Sequence, residues 1–110
     1  FGEYPDQVAY LIEIGLVKAY LDAAFAELVE RKNDTIIVRF EKASLKFFLT
    51  QDYFEAISKT HLKAKISDNQ GKVEITFDVR NKKDYEILEE LKIFGQTFME
   101  IKERKEKKEA

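Results

Sequence analysis

The chain has 110 residues, of which 45% are hydrophobic and 36% charged, so it can bury one core under a well-solvated surface and is not a disordered segment. Nineteen Lys and Arg stand against 21 Asp and Glu, and the net charge of −2 leaves no global field to draw nucleic acid or anionic lipid. There is no cysteine, which excludes disulfides, thiolate metal sites and thiol catalysis and makes a reducing cytoplasm the expected location. No run approaches the roughly 18 apolar residues of a membrane span, and none has a signal-peptide pattern. A surface rich in Lys and Glu and poor in Asn and Gln leans toward a thermophilic source.

From Tyr4 to Arg31 the pattern predicts a single long helix, opened by Pro5-Asp6 and closed by Asn33-Asp34. At 100° per residue, Tyr10, Ile14, Val17, Leu21, Ala24, Phe25 and Leu28 share one bulky arc that suits a core. Val8, Ile12, Gly15, Ala19, Ala23 and Ala26 form a second arc of mostly small residues, which permits close approach of another backbone. A surface helix needs one apolar stripe, so two stripes predict a helix packed on both sides.

Thr35–Phe40 reads as a strand, with Ile36, Val38 and Phe40 on one face. Residues 42–59 fit two patterns. As a helix, Leu45, Phe48, Leu49, Tyr53, Ala56 and Ile57 make a stripe, Ser44 is a candidate cap, and Asp52 marks a break near Gln51. As a hairpin arm, Leu45, Phe47 and Leu49 would pair with Phe40, Val38 and Ile36 through a Glu-Lys-Ala-Ser turn of poor turn chemistry. The helix is the better fit.

His61–Val79 alternates apolar and polar residues on both sides of Asp68-Asn69-Gln70-Gly71. Pairing Ile66 with Val73, Ala64 with Ile75 and Leu62 with Phe77 puts every apolar side chain on one face. The other face is wholly polar, so the sheet is covered on one side. Asn81 is the expected cap of a last helix running to about Arg104, with 102–110 a charged tail that frays.

These elements predict a single α+β domain over 1–110: two layers, an antiparallel sheet of three or four strands, and helices on one face. The order is α-β-α-β-β-α, or α-β-β-α-β-β-α if residues 45–49 pair with Thr35–Phe40. From Thr35 to about Ile101 the helix-strand-helix-hairpin-helix order resembles KH-type domains and the small dimer-forming subunit of the KEOPS complex, through element order alone.

Candidate chemistry is sparse. His61 is the lone histidine, and with Ser58 and Asp78 it could suggest a nucleophilic set, but no Gly-rich elbow holds the serine. One histidine, no cysteine and no Asp-rich loop offer no metal site and imply no cofactor. Lys63, Lys65 and Lys72 lie on the polar sheet face, followed by Arg80, Lys82 and Lys83. A basic sheet can track phosphates, yet this face has no aromatic to stack bases, no GxxG clamp, and Glu74 and Asp78 within it. The favoured reading is a non-catalytic, homo-oligomeric assembly subunit, a dimer whose interface is Val8, Ile12, Gly15, Ala19, Ala23, Ala26 and Gly95. Nucleic-acid association through the lysine face is the second reading. A small-ligand protein or enzyme with a pocket between helices and sheet is the third.

Overall fold

The computed structural model describes the backbone of residues 6–109 and the side chains of residues 14–107. Eight elements follow in order: α1 (Asp6–Ala23), β1 (Ala26–Lys32), β2 (Thr35–Phe40), α2 (Lys42–Phe47), α3 (Thr50–Lys59), β3 (Lys63–Asn69), β4 (Lys72–Asp78) and α4 (Asp84–Glu109). The strands form one antiparallel sheet in the order β1-β2-β4-β3, and the helices pack on one face of it. The two-layer α+β architecture is the expected one.

The first helix is shorter than its pattern predicts. It ends at Ala23, Phe25 turns the chain at φ +67°, and residues 26–32 form a strand. The apolar spacing misleads because β1 carries a bulge. Ala26 faces Phe40, Glu27 is extra, Leu28 faces Arg39 and Val29 faces Val38. The bulge puts Ala26 and Val29 on the same sheet face three residues apart, a helical spacing produced by a strand. Asn33-Asp34 is therefore a hairpin turn, with Asn33 at φ +52° and the Thr35 hydroxyl donating to the Lys32 carbonyl at 2.9 Å. The extra strand lies before Thr35–Phe40, not after it, so the order also departs from the KH-like one.

Residues 42–59 are helical, and the break falls at Phe48-Leu49, earlier than Gln51-Asp52. Asp52 sits in the first turn of α3, where its carboxylate accepts the Leu49 N–H at 2.8 Å. It starts the second helix instead of spoiling the first. Ser44 is not a cap. It lies within α2, fully buried, donating to the Ala24 carbonyl and sharing a hydrogen bond with the Tyr53 hydroxyl.

The β3–β4 hairpin keeps the predicted faces but slips by two residues. Ile66 faces Ile75, Ala64 faces Phe77, and Asp68, not Ile66, faces Val73. The loop is the two-residue Gln70-Gly71, at φ +56° and +82°, braced by the Gly71 N–H to the Asp68 carboxylate at 2.8 Å. Two consecutive positive φ angles give a tight turn whose twist matches the strands, and this outweighs the wider turn. A slip of two preserves side-chain parity, so the apolar face survives.

Asn81 does not cap α4. It occupies a turn at φ +63°, and the helix starts at Asp84. The segment 102–109 continues as helix, and two of its side chains are held. Arg104 reaches the Glu55 carboxylate, while Lys105 Nζ lies 2.6 Å from Asp52 Oδ2 and 2.8 Å from the Phe47 carbonyl.

Between sheet and helices lies an aromatic core. Phe40, Phe48, Tyr53, Phe77, Phe94 and Phe98 are buried and touch in tilted or edge-on pairs with centroids 5.0–6.3 Å apart. Such pairs contribute about 0.5–1.5 kcal/mol each beyond the area they bury. Burial of the Tyr53 ring raises the pKa of its phenol, keeping it neutral.

Candidate interaction surfaces

Two surfaces could meet a partner, one on the helix layer and one on the bare sheet face. On the helix layer, Val17, Leu21 and Ala24 of the bulky arc are buried, while Phe25 and Leu28 lie beyond the helix. The small-residue arc is divided. Gly15 and Ala19 are exposed, Ala23 is half-buried, and a Cβ at Gly15 would meet nothing within 4 Å among the described residues. Val8 and Ile12, like Tyr10, lie outside the described side chains. Ala26 belongs to β1 and packs on the core opposite Phe40. Gly95 is buried against the same chain's Tyr20, where a Cβ would stand 2.6 Å from Tyr20 Cβ. It brings α4 against α1 from within, on a side of α1 other than the open stripe.

Beside α1 runs an apolar groove of about 380 Å³, lined by Ile14, Val17, Leu21, Val29, Leu88 and Leu91. It exists because β1 is an edge strand and the helices leave part of it bare. Val29 shares a face with buried Val38 yet is 46% exposed, and Ile14 is 40% exposed.

The sheet face away from the helices is polar. Its end row is Lys32, Thr35, Asp78 and Lys63, and the next is Glu30, Ile37, Thr76 and Lys65. A cleft of about 360 Å³ opens over this end, lined by Asp34, Thr35, Lys63, Lys65, Thr76, Asp78 and Arg80. Arg80 folds back on Asp78, its guanidinium 2.9 Å from Oδ2 and its N–H 3.0 Å from Oδ1. These bonds hold the Asp78 carboxyl down to about 2 and raise the Arg80 pKa in return. Farther along, Asn69 and Arg39 both bond Glu74 and lower its pKa.

Five of the six expected cations gather at that end: Lys63, Lys65 and Arg80, with Lys82 and Lys83 in the adjoining turn. Lys72 does not. It sits at the opposite end of the hairpin, bonded to both Glu27 oxygens at 2.8 and 3.0 Å. Lys32 takes its place. Only the β1–β2 hairpin puts Lys32 there, and Asn33-Asp34 read as a turn between two strands would have pointed to it.

The residues of the nucleophilic set are engaged elsewhere. His61 bonds Glu90 through both its backbone N–H and Nδ1, Ser58 donates to the Glu55 carbonyl, and Asp78 is held by Arg80. Among the described residues no three His, Cys, Asp or Glu side chains cluster as a metal would need. No helix among them is long and apolar enough to cross a membrane.

No known family model matches the chain, and no curated protein is significantly similar to it. A solved structure is similar: the crystal structure of the C-terminal domain of a transcription-repair coupling factor. It shares 62% identity with this chain at a TM-score of 0.90, over 96% of this chain and 65% of that one. The chain thus spans about two thirds of the solved relative's length and shares its fold.

Proposed function

We propose that this chain is a non-catalytic docking domain of a transcription-repair coupling factor, with the outer side of α1 and the adjoining groove as its docking surface. The observation that carries the reading is the 62% identity to such a domain across nearly all of this chain. The exposed Gly15 and Ala19, next to exposed Ile14 and Val29, support docking on the helix layer, because apolar surface left bare on a small domain marks a partner.

Self-association through Gly15, Ala19 and Ala23 is the narrower form of this proposal. Sedimentation of the chain across a concentration series tests it, alongside Ala19→Glu. The expected result is a dimer that dissociates in the variant while circular dichroism and melting temperature stay near those of the parent. A parent chain that remains monomeric at the highest concentration refutes self-association, and the docking partner is then a different protein.

A further inference from the structure

The charge of this protein is unevenly placed. In a chain of net charge −2, one end of the bare sheet face holds Lys32, Lys63 and Lys65, Arg80 lines the cleft there, and Lys82 and Lys83 follow in the turn that leads to α4. The carboxylates at that end are Glu30, Asp34 and Asp78, with Asp84 directly after the turn; Asp78 is already engaged by Arg80 and Asp84 by Arg31. The clustering is a product of topology. The antiparallel order β1-β2-β4-β3 brings the end of β1, the start of β2, the end of β4 and the start of β3 into one row. The turn after β4 is tied to that row by the Val79 N–H on the Asp34 carbonyl at 2.8 Å. Cations far apart in sequence therefore meet on one surface.

We propose that this end of the sheet face binds the phosphate backbone of duplex DNA without reading its sequence. Lys32 and Lys63 stand on the two edge strands, three strand spacings apart, or roughly 14 Å at 4.7–4.9 Å per spacing. That separation lets the two edges reach phosphates on both sides of a groove roughly 12 Å wide. Thr76 adds a hydroxyl group between them in the lining of the cleft, whereas the Thr35 hydroxyl is already given to the Lys32 carbonyl. A single strand is the poorer fit, because such sites use aromatic side chains as stacking platforms, and this face has none among the described residues. An acidic peptide is narrow enough to use one edge only, leaving the second lysine edge without purpose. The rest of the chain carries excess negative charge, so contact is confined to this patch. The inference stands apart from docking through the helix layer, which lies on the other side of the sheet.

The test is fluorescence anisotropy of the whole chain with a labelled mixed-sequence duplex over a salt series. Three variants accompany it: Lys63→Glu with Lys65→Glu, the milder Lys63→Gln with Lys65→Gln, and Lys46→Glu with Lys107→Glu as a distant charge control. Melting curves establish that each is folded, and the Gln pair serves if the Glu pair is not. Binding should weaken linearly in log–log form with salt. The Lys63/Lys65 variants should lose about tenfold or more in affinity at about 50 mM salt and lower the slope by about 1.8, as loss of two phosphate contacts requires. The distant pair should bind like the parent. The proposal is overturned if the parent fails to bind at low salt, if the Lys63/Lys65 variants bind as tightly as the parent, or if the distant pair loses as much. It is also overturned if polyglutamate competes as well as DNA, in which case the patch serves an acidic protein.

Discussion

Two glycines in two helices should respond to the same substitution with opposite signs. A helical glycine replaced by alanine gains about 1 kcal/mol from the more restricted unfolded chain and the better helix propensity, provided the new methyl has room. At Gly15 it has room, since nothing among the described residues lies within 4 Å of the Cβ position. Gly15→Ala should therefore stabilise the domain by up to about 1 kcal/mol, or a rise of about 4–8 °C in Tm. At Gly95 the methyl would stand 2.6 Å from Tyr20 Cβ, 3.4 Å from Cγ and 3.5 Å from Cδ2. Carbon atoms prefer about 3.5–4.0 Å, so α1 and α4 must separate by about 1 Å. A change of rotamer cannot relieve the contact, because Cβ is fixed to the α1 backbone. Overpacking of this kind costs about 1–3 kcal/mol, and the propensity gain offsets only part of it. The expected outcome for Gly95→Ala is a net loss of up to about 2 kcal/mol, read as a lower urea midpoint with little change in slope. If Gly95→Ala instead stabilises the domain as much as Gly15→Ala, the close approach of the two helices is refuted.

Other consequences can be checked by NMR and by unfolding. Asp78 should titrate near pH 2 because of Arg80, and Arg80→Ala should return it toward the ordinary carboxylate range. Since the folded-state pKa is the lower one, the stability due to this pair is complete above about pH 4 and fades as pH falls toward 2, a dependence that Arg80→Ala should flatten. Ser44→Ala should cost about 1–3 kcal/mol, because it strips a hydrogen bond from the buried Tyr53 hydroxyl and another from the Ala24 carbonyl; an unfolding midpoint equal to the parent's would count against that buried network.

Much of this fold is written in short-range pattern. Alternation alone assigns Ile36, Val38 and Phe40 to the core face of β2, and Leu62, Ala64, Ile66, Val73, Ile75 and Phe77 to the same side of the second hairpin. Those faces hold even though the register shifts by two, because a shift of two leaves parity unchanged. The arc of Ile87, Leu91, Phe94, Phe98 and Ile101 likewise identifies the buried side of α4. Two layers with one bare sheet face follow directly from a hairpin that is apolar on one side and polar on the other.

Tertiary contact decided the rest. A bulge at Glu27 turns the alternation of β1 into a helix-like spacing, and only pairing with β2 shows it to be a strand. Asp52 looks like a defect in a helical stripe until the Leu49 N–H and Lys105 are seen to converge on it. Gly95 reads as one more small residue until Tyr20 is placed against it. The candidate DNA surface depends most of all on topology. Lys32 and Lys63 are 31 positions apart, and Lys72, nearer to Lys63 in sequence, lies at the far end of the hairpin tied to Glu27. Local periodicity reports which face a side chain takes, since the backbone repeat fixes direction. It does not report which strand ends meet, because that is set by register and strand order, and these arise from packing across the whole sheet.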